Sequence, residues 1–310
     1  MLKYDNYYIP KTLKEYAKMC NSIGNYRIVA GCTDTMPWAR EGRAGDVYFK
    51  NIIDVSKIKE LNYMKFAKKN IGLGAATSFQ DIFLDKKIRK NLKILPQISV
   101  WFADDQIREQ ATLGGNIVNA SPAADSTPAL LSLNAKVIIG VIKGDKIIKK
   151  TLTLKEFVRG RNKVALGKKD LVIGFDMDNL NDYQACFEKV GHRRSLVIST
   201  VCVACVLKVK NNEFEDIRIS VSGVCEIPQR LLKVEKFLIG KQVSHKNIFE
   251  ASLIELNVIN SRTRKDYRKQ VLQNFIVRSI LKSLEKNTSK NLNLNFIKDN
   301  LEKEYLHVRN

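Results

Sequence analysis

Apolar and polar positions alternate with two different textures along this chain. Over the first 177 or so residues, helical and strand patterns take turns. Leu13, Tyr16, Ala17 and Cys20 recur at helical intervals after Pro10, which predicts a helix over 12–22. Residues 26–30 read as a short strand running into a glycine loop, 47–55 as another strand, 58–61 as a turn and 63–73 as one or two strands. Thr77-Ser78-Phe79-Gln80 has capping-box spacing and opens a predicted helix over 79–84. A helical stretch over 88–102 is expected to break at Pro96. Residues 104–125, with Gly114, Gly115, Asn116, Ser121 and Pro122, read as a loop-rich centre. A helix over 128–133 and a hairpin of 136–142 with 145–149 about Gly144 follow, then an apolar stretch over 171–177.

Beyond residue 178 the texture becomes that of an antiparallel sheet. Strands are predicted at 187–189, 198–208 and 217–224, with Asn211-Asn212 in a turn, and helices at 229–239 and 275–284. A domain boundary therefore falls near residue 178, and 286–310 reads as a polar extension.

Length and composition then narrow the class. At 310 residues, 45% hydrophobic and 27% charged, the chain has the make-up of a globular protein of about two domains. The longest nearly apolar run, 196–207, falls short of the ~20 residues that span a bilayer. Met1-Leu2-Lys3-Tyr4-Asp5 lacks the basic start and apolar stretch of a signal peptide, so a cytoplasmic protein with no membrane partner is expected.

A net charge of +21 invites a nucleic-acid reading. The basic residues are scattered over 65–69, 86–93, 143–161 and 262–269, however, with no aromatic-studded basic strand for stacking bases. A solvated cationic surface that attracts anionic ligands or acidic partners is the better account, and nucleic acid is not an expected partner.

The usual metal and nucleophile patterns are missing. Only Cys202 and Cys205 of the six cysteines share C-x-x-C spacing, and they sit in a predicted buried strand. Side chains three apart on a strand point to opposite faces, so these two read as core residues and no metal site is expected. His192, His245 and His307 are far apart and support no triad. Gly72-Leu73-Gly74 begins like a dinucleotide fingerprint, but Thr77 stands at its third glycine, so a tight strand-to-helix turn is the expectation there.

Two glycine loops stand out: Ala30-Gly31-Cys32-Thr33-Asp34, directly after a strand, and Thr112-Leu113-Gly114-Gly115-Asn116. Small residues let backbone N–H groups approach a phosphate, and the neighbouring hydroxyl and amide side chains complete the contacts. Two such loops favour a large ligand carrying a diphosphate.

These loops, with Ile71-Gly72-Leu73-Gly74-Ala75-Ala76-Thr77 between them and the long central run from Gln106 to Asp125, occur in an order that resembles the FAD-binding subunit of the molybdenum hydroxylases. That family includes xanthine dehydrogenase and the carbon monoxide dehydrogenase medium chain. The resemblance continues at Asp170-Leu171-Val172-Ile173, at 187–194 and from Ser222 to Glu235, and covers about residues 1–285. It implies an α+β protein. A vanillyl-alcohol-oxidase (PCMH) type FAD-binding domain over 1–177, made of two α/β subdomains at about 1–57 and 58–177, would precede a smaller α+β C-terminal domain over 178–285 with an antiparallel sheet and helices.

By motif match, Arg27, Ile28, Val29, Ala30, Gly31, Cys32, Thr33, Asp34 and Thr35 would wrap the diphosphate and ribityl chain of FAD. Thr112, Gly114, Gly115, Asn116 and Val118 would form the second FAD loop. Asp125 would accept from a sugar or ribityl hydroxyl, Val172 would pack on a flat ring, and Lys189 would lie near the flavin. Without the motif order the last three read better as a capped turn, a core valine and a surface lysine. Cys32 and Glu109 depart from the family's usual glycine and asparagine, and neither loop has a histidine, so FAD is expected to be non-covalent.

The resemblance further implies partners: a molybdopterin-binding large subunit and a small subunit with 2Fe-2S clusters. Electrons would pass from those clusters to FAD and on to NAD+ or another acceptor, with no acid–base residue of this chain touching the organic substrate. A purine is the first expectation for that substrate, on the commonness of that branch. Two rivals stay open: a stand-alone flavin reductase or oxidase of the same fold, and a basic nucleic-acid-binding or structural protein.

Overall fold

The computed structural model describes residues 2–41, 48–144, 146–193, 197–254, 257–260 and 263–285. The first elements are β1 (Lys3–Tyr8), α1 (Leu13–Ser22), β2 (Tyr26–Val29), α2 (Thr35–Glu41) and β3 (Tyr48–Asp54), and the three strands form a parallel sheet in the order β1-β3-β2. Thr12 caps α1 by accepting from the Glu15 amide, and the helix buries Tyr16, Ala17 and Cys20, of which Tyr16 and Cys20 share a core with Ile53 and Val55. Leu171 and Ile173, from far along the chain, close this small core.

The middle of the chain supplies β4 (Met64–Phe66), β5 (Asn70–Gly74), α3 (Phe79–Leu84), α4 (Lys86–Asn91), α5 (Ile94–Trp101), α6 (Asp105–Gln110), α7 (Leu113–Asn119), α8 (Ser126–Ser132), β6 (Lys136–Lys143), β7 (Lys146–Thr153), α9 (Leu154–Phe157), β8 (Val158–Gly160), β9 (Lys163–Val164) and β10 (Leu171–Asp178). Five of these strands make an antiparallel sheet ordered β4-β5-β10-β6-β7, in which the last strand in sequence sits at the centre. One face packs on α3, α5, α7 and α8 through Ile71, Leu73, Phe79, Ile98, Leu113 and Leu130.

Several local expectations need correction here. The loop-rich centre contains two short helices, because Asp104 and Thr112 cap them by accepting from the Ile107 and Gly115 amides. The helical stretch breaks at Leu92-Lys93 rather than at Pro96, which lies in the first turn of α5, where a missing N–H leaves no bond unmade. The capping box is Ser78 with Asp81, one residue later than predicted. Gly72 and Gly74 lie inside β5, not in a turn, and a Cβ on Gly74 would come within 2.0 Å of the Leu61 carbonyl oxygen.

The last part contains β11 (Gln184–Val190), β12 (Val201–Lys210), β13 (Glu213–Ser222), β14 (Gln229–Arg230), α10 (Leu232–Leu238), α11 (His245–Ser252) and α12 (Lys265–Leu284), with an antiparallel sheet ordered β11-β12-β13-β14. Cys202 and Cys205 are both buried and join different cores: Cys202 faces the helices of the middle layer, Cys205 faces α10–α12. Gln229-Arg230 is strand rather than helix, since it pairs with Ser220 and Val221, and α12 begins ten residues before the predicted start. The polar extension over 286–310 lies outside the described residues. No helix among the described residues is long and apolar enough to cross a membrane.

Candidate functional site

A cleft of about 950 Å³ opens between the three-stranded sheet and the helices of the middle layer. Its floor is the loop that leaves β2. Val29, Ala30, Gly31 and Cys32 line the cleft, Ile28 packs on the α1 core, and the Arg27 guanidinium lies over the Phe49 ring at 5.6 Å. Among the described residues, no acceptor meets the backbone N–H groups of Gly31, Cys32, Thr33 and Asp34. Main-chain donors begin to be satisfied again only at Met36, which bonds Cys32. With Thr35, also without an acceptor for its N–H, five consecutive amides beside the cleft make a set of donors suited to an anion.

Why the loop needs small residues differs position by position. A Cβ on Gly31 would lie 1.7 Å from the Gln110 carbonyl oxygen, so that glycine permits the loop to press on the end of α6. The left-handed conformation, φ +57°, falls on Cys32 instead. Burial pushes the Cys32 thiol and the Asp34 carboxyl up. Asp34 accepts from the Asn119 side-chain amide at 2.6 Å, tying the first loop to α7, and Thr35 opens α2.

The second predicted loop is the first turns of α7, and its chemistry differs from the expectation. Leu113 and Gly114 donate to the carbonyls of Thr77 and Ala75, Gly115 donates to the Thr112 hydroxyl, and Asn116 donates to the Thr112 carbonyl. These amides are already satisfied within the protein. Gly114 is required by packing, since a Cβ there would meet Ala75 at 2.7 Å. Of this group Thr112 lines the cleft, the Asn116 side-chain carbonyl accepts from Ser126, and Val118 is exposed.

The remaining three predicted residues part company. Val172 lies in the core of the five-stranded sheet, paired with Ile139, and not on the cleft. Asp125 and Lys189 are both buried and joined at 2.6 Å. The Lys189 ammonium also donates to the Trp101 carbonyl at 3.2 Å, and the other Asp125 oxygen accepts from Ser199. Burial pushes the Asp125 carboxyl up against the pull of Lys189. Lys189, Trp101, Val190, Gly191, Arg193 and Val197 line a second cavity of about 280 Å³. No group of three or more His, Cys, Asp or Glu able to hold a metal occurs among the described residues.

Sequence reasoning missed Tyr4, Tyr7, Asp54, Ser78 and Gln110, all of which line the cleft. Asp54 closes the end of β3, accepting from the Tyr7 hydroxyl and the Ser56 amide, each at 2.8 Å. β1 and β3 reach the β2 loop only through the parallel sheet, so spacing along the chain carried no sign of them.

Comparison with known proteins gives the family. A family described as the FAD binding domain in molybdopterin dehydrogenase matches residues 2–177, and the CO dehydrogenase flavoprotein C-terminal domain matches 186–283. The glyceraldehyde dehydrogenase medium chain of Sulfolobus acidocaldarius is 30% identical over 239 residues, 77% of this chain and 82% of its own. The nicotinate dehydrogenase FAD-subunit of Eubacterium barkeri is 27% identical over 269 residues, 81% of this chain and 85% of its own. Among solved structures, carbon monoxide dehydrogenase from Hydrogenophaga pseudoflava superposes with a TM-score of 0.80 at 19% identity, covering 91% of this chain and 98% of that one. Quinoline 2-oxidoreductase from Pseudomonas putida 86 gives 0.81 at 20% identity, covering 91% and 97%. The last two likenesses establish the fold.

Proposed function

The chain belongs to the FAD-binding subunits of the molybdopterin dehydrogenases, and from that premise we propose that it is the electron-collecting subunit of a multi-subunit molybdenum hydroxylase. A molybdopterin subunit and a 2Fe-2S subunit would be its partners, and NAD+ its terminal acceptor. The observation that carries this reading is the run of unpartnered amides from Gly31 to Asp34, whose first two residues line the large cleft.

The residues fit FAD. The Gly31–Asp34 amides would hold the diphosphate, with Arg27 and Ile28 behind them and Val29, Ala30 and Thr112 on the cleft wall. Gly114, Gly115, Asn116 and Val118 belong to α7, which Asn119 ties to the loop through Asp34, and Thr35 opens α2; they would act on the site from the frame, without donating amides of the α7 turn. Lys189 would supply positive charge beside the second cavity, and Val172 contributes to the core of the five-stranded sheet. When bound, FAD takes electrons singly and releases them as a pair. This chain's own residues then have only to bind, orient and exclude water.

An absorbance spectrum followed by heat or acid release tests the reading. About one FAD per chain, fully released, is expected. A colourless chain that takes up no added FAD would refute it. Anaerobic NADH should bleach the flavin band of the assembled enzyme, and failure to bleach removes the NAD+ step alone.

A further inference from the structure

β7 is the last strand of the five-stranded sheet, with β6 on one side and no strand on the other. The two-residue turn after Lys143 and the bond from the Leu154 amide to the Ala135 carbonyl fix which of its groups face β6. The even-numbered residues bond inward, so the N–H and C=O groups of Ile147, Lys149 and Thr151 point outward. They meet no hydrogen-bonding partner among the described residues. Lys149 and Thr151 are exposed, so no helix covers this edge.

Charge gathers on the same edge. Residues 136–169 hold eleven Lys and Arg against two acids, Asp145 and Glu156, which is nine of the chain's net twenty-one positive charges. Glu156 is committed to the cap of α9. Lys146, Lys149 and Lys150 project from β7 and form no ion pair among the described residues. α1, which packs against the strand, adds the exposed Lys14 and Lys18. Ile148, 47% exposed, sits between Lys146 and Lys150 on one face of the strand.

Edge lysines ordinarily guard a strand against association. The guard is selective. A second copy of β7 would bring lysine beside lysine, whereas carboxylates on a neighbouring strand would meet cations. We propose that β7 is a docking edge for an extended acidic segment of a partner protein, which adds to the sheet as a sixth strand. Main-chain bonds at Lys149 and Thr151 supply the affinity, Lys146 and Lys150 select an acidic sequence, and Ile148 gives an apolar contact between them. The proposal is independent of bound FAD. β7 lies at the opposite edge of the sheet from β4, and it is the turn before β4, at Lys59 and Asn62, that lines the cleft.

Titration of the full chain at low salt with a fluorescent peptide of alternating Glu and Thr, matched to the eight residues of β7, tests this. A peptide of alternating Lys and Thr is its counterpart. The acidic peptide should bind and the basic one should not. Lys146→Glu, Lys149→Glu and Lys150→Glu together should weaken the acidic peptide by about tenfold and admit the basic one. Thr151→Pro removes one outward N–H while leaving the ladder to β6 and every charge in place. It should abolish binding, whereas Thr151→Val keeps it. Undiminished binding to Thr151→Pro would reduce the edge to a solvated cationic surface and overturn the proposal. If that variant does not fold, amide exchange on the wild-type chain decides. The peptide should slow exchange at Lys149 and Thr151, and a bound peptide that leaves both amides unprotected overturns the proposal. A chain that binds duplex DNA or phosphatidylserine vesicles but not the acidic peptide overturns it too, as does one that binds none of the three.

Discussion

Replacing Gly31 by alanine adds a single methyl group at the tightest point of the cleft. The new Cβ would lie 1.7 Å from the Gln110 carbonyl oxygen and 2.5 Å from its carbon, both backbone atoms that cannot swing aside. Restoring an ordinary separation of about 3.5 Å requires the loop and the end of α6 to part by nearly 2 Å. The donors at Gly31, Cys32, Thr33 and Asp34 would move with the loop. Overpacking of this kind costs about 1–3 kcal/mol. If the bound geometry must be recovered against that strain, FAD affinity falls by roughly 5- to 150-fold. The assay is a fluorescence titration of the cofactor-free chain, with thermal unfolding in its absence as the stability control. Gly24→Ala is the matched neutral change, because a Cβ there meets nothing within 4 Å. Wild-type affinity and melting temperature for Gly31→Ala would show that the loop does not depend on its approach to α6, and the account of the site would fail.

Three further predictions follow from neighbouring residues. Cys32→Gly relieves a left-handed side chain and should stabilise the fold by about 1 kcal/mol, read as a melting temperature raised by a few degrees. Because the other five cysteines are buried, a thiol reagent should label Cys32 first in the native chain. Its burial-raised thiol makes labelling accelerate with rising pH, and bound FAD should slow it. Thr112→Val removes the hydroxyl that accepts from the Gly115 amide and should cost about 1 kcal/mol of stability, measured by denaturant titration. Its effect on FAD affinity should be smaller than that of Gly31→Ala, because the α7 amides are satisfied inside the protein.

Much of the fold was legible because its signals are local. Thr12 and Pro10 announced α1, Gly144 announced the β6–β7 hairpin, and Asn211-Asn212 announced the turn before β13. Short elements set by long-range pairing were not. Gln229-Arg230 is a strand only because β13 lies beside it, and α6 and α7 exist within a glycine-rich stretch because Asp104 and Thr112 cap them. Within the site, the two glycine loops were visible, but their reasons were not. Gly31 and Gly114 are small because other backbone passes close by, and only the packed structure shows which backbone that is. The pairing of Asp125 with Lys189 and Ser199 spans 64 and 74 residues and leaves no trace in spacing.

The central place of β10 in the five-stranded sheet bears on how the chain is made. Gly174 pairs with Gly74, a hundred residues earlier, and the same strand bonds β6 on its other edge. Until β10 arrives, β5 and β6 have no common neighbour, and Leu171 and Ile173 are absent from the core beneath α1. During synthesis the cleft therefore stays unformed until more than half of the chain has left the ribosome, and its assembly waits on contacts of high sequence separation, which form slowly. Cofactor supplied to the growing chain meets no finished site. FAD capture is a late event in the biogenesis of this subunit, and a chain ending before residue 171 should be a substrate for proteolysis rather than a partial flavoprotein.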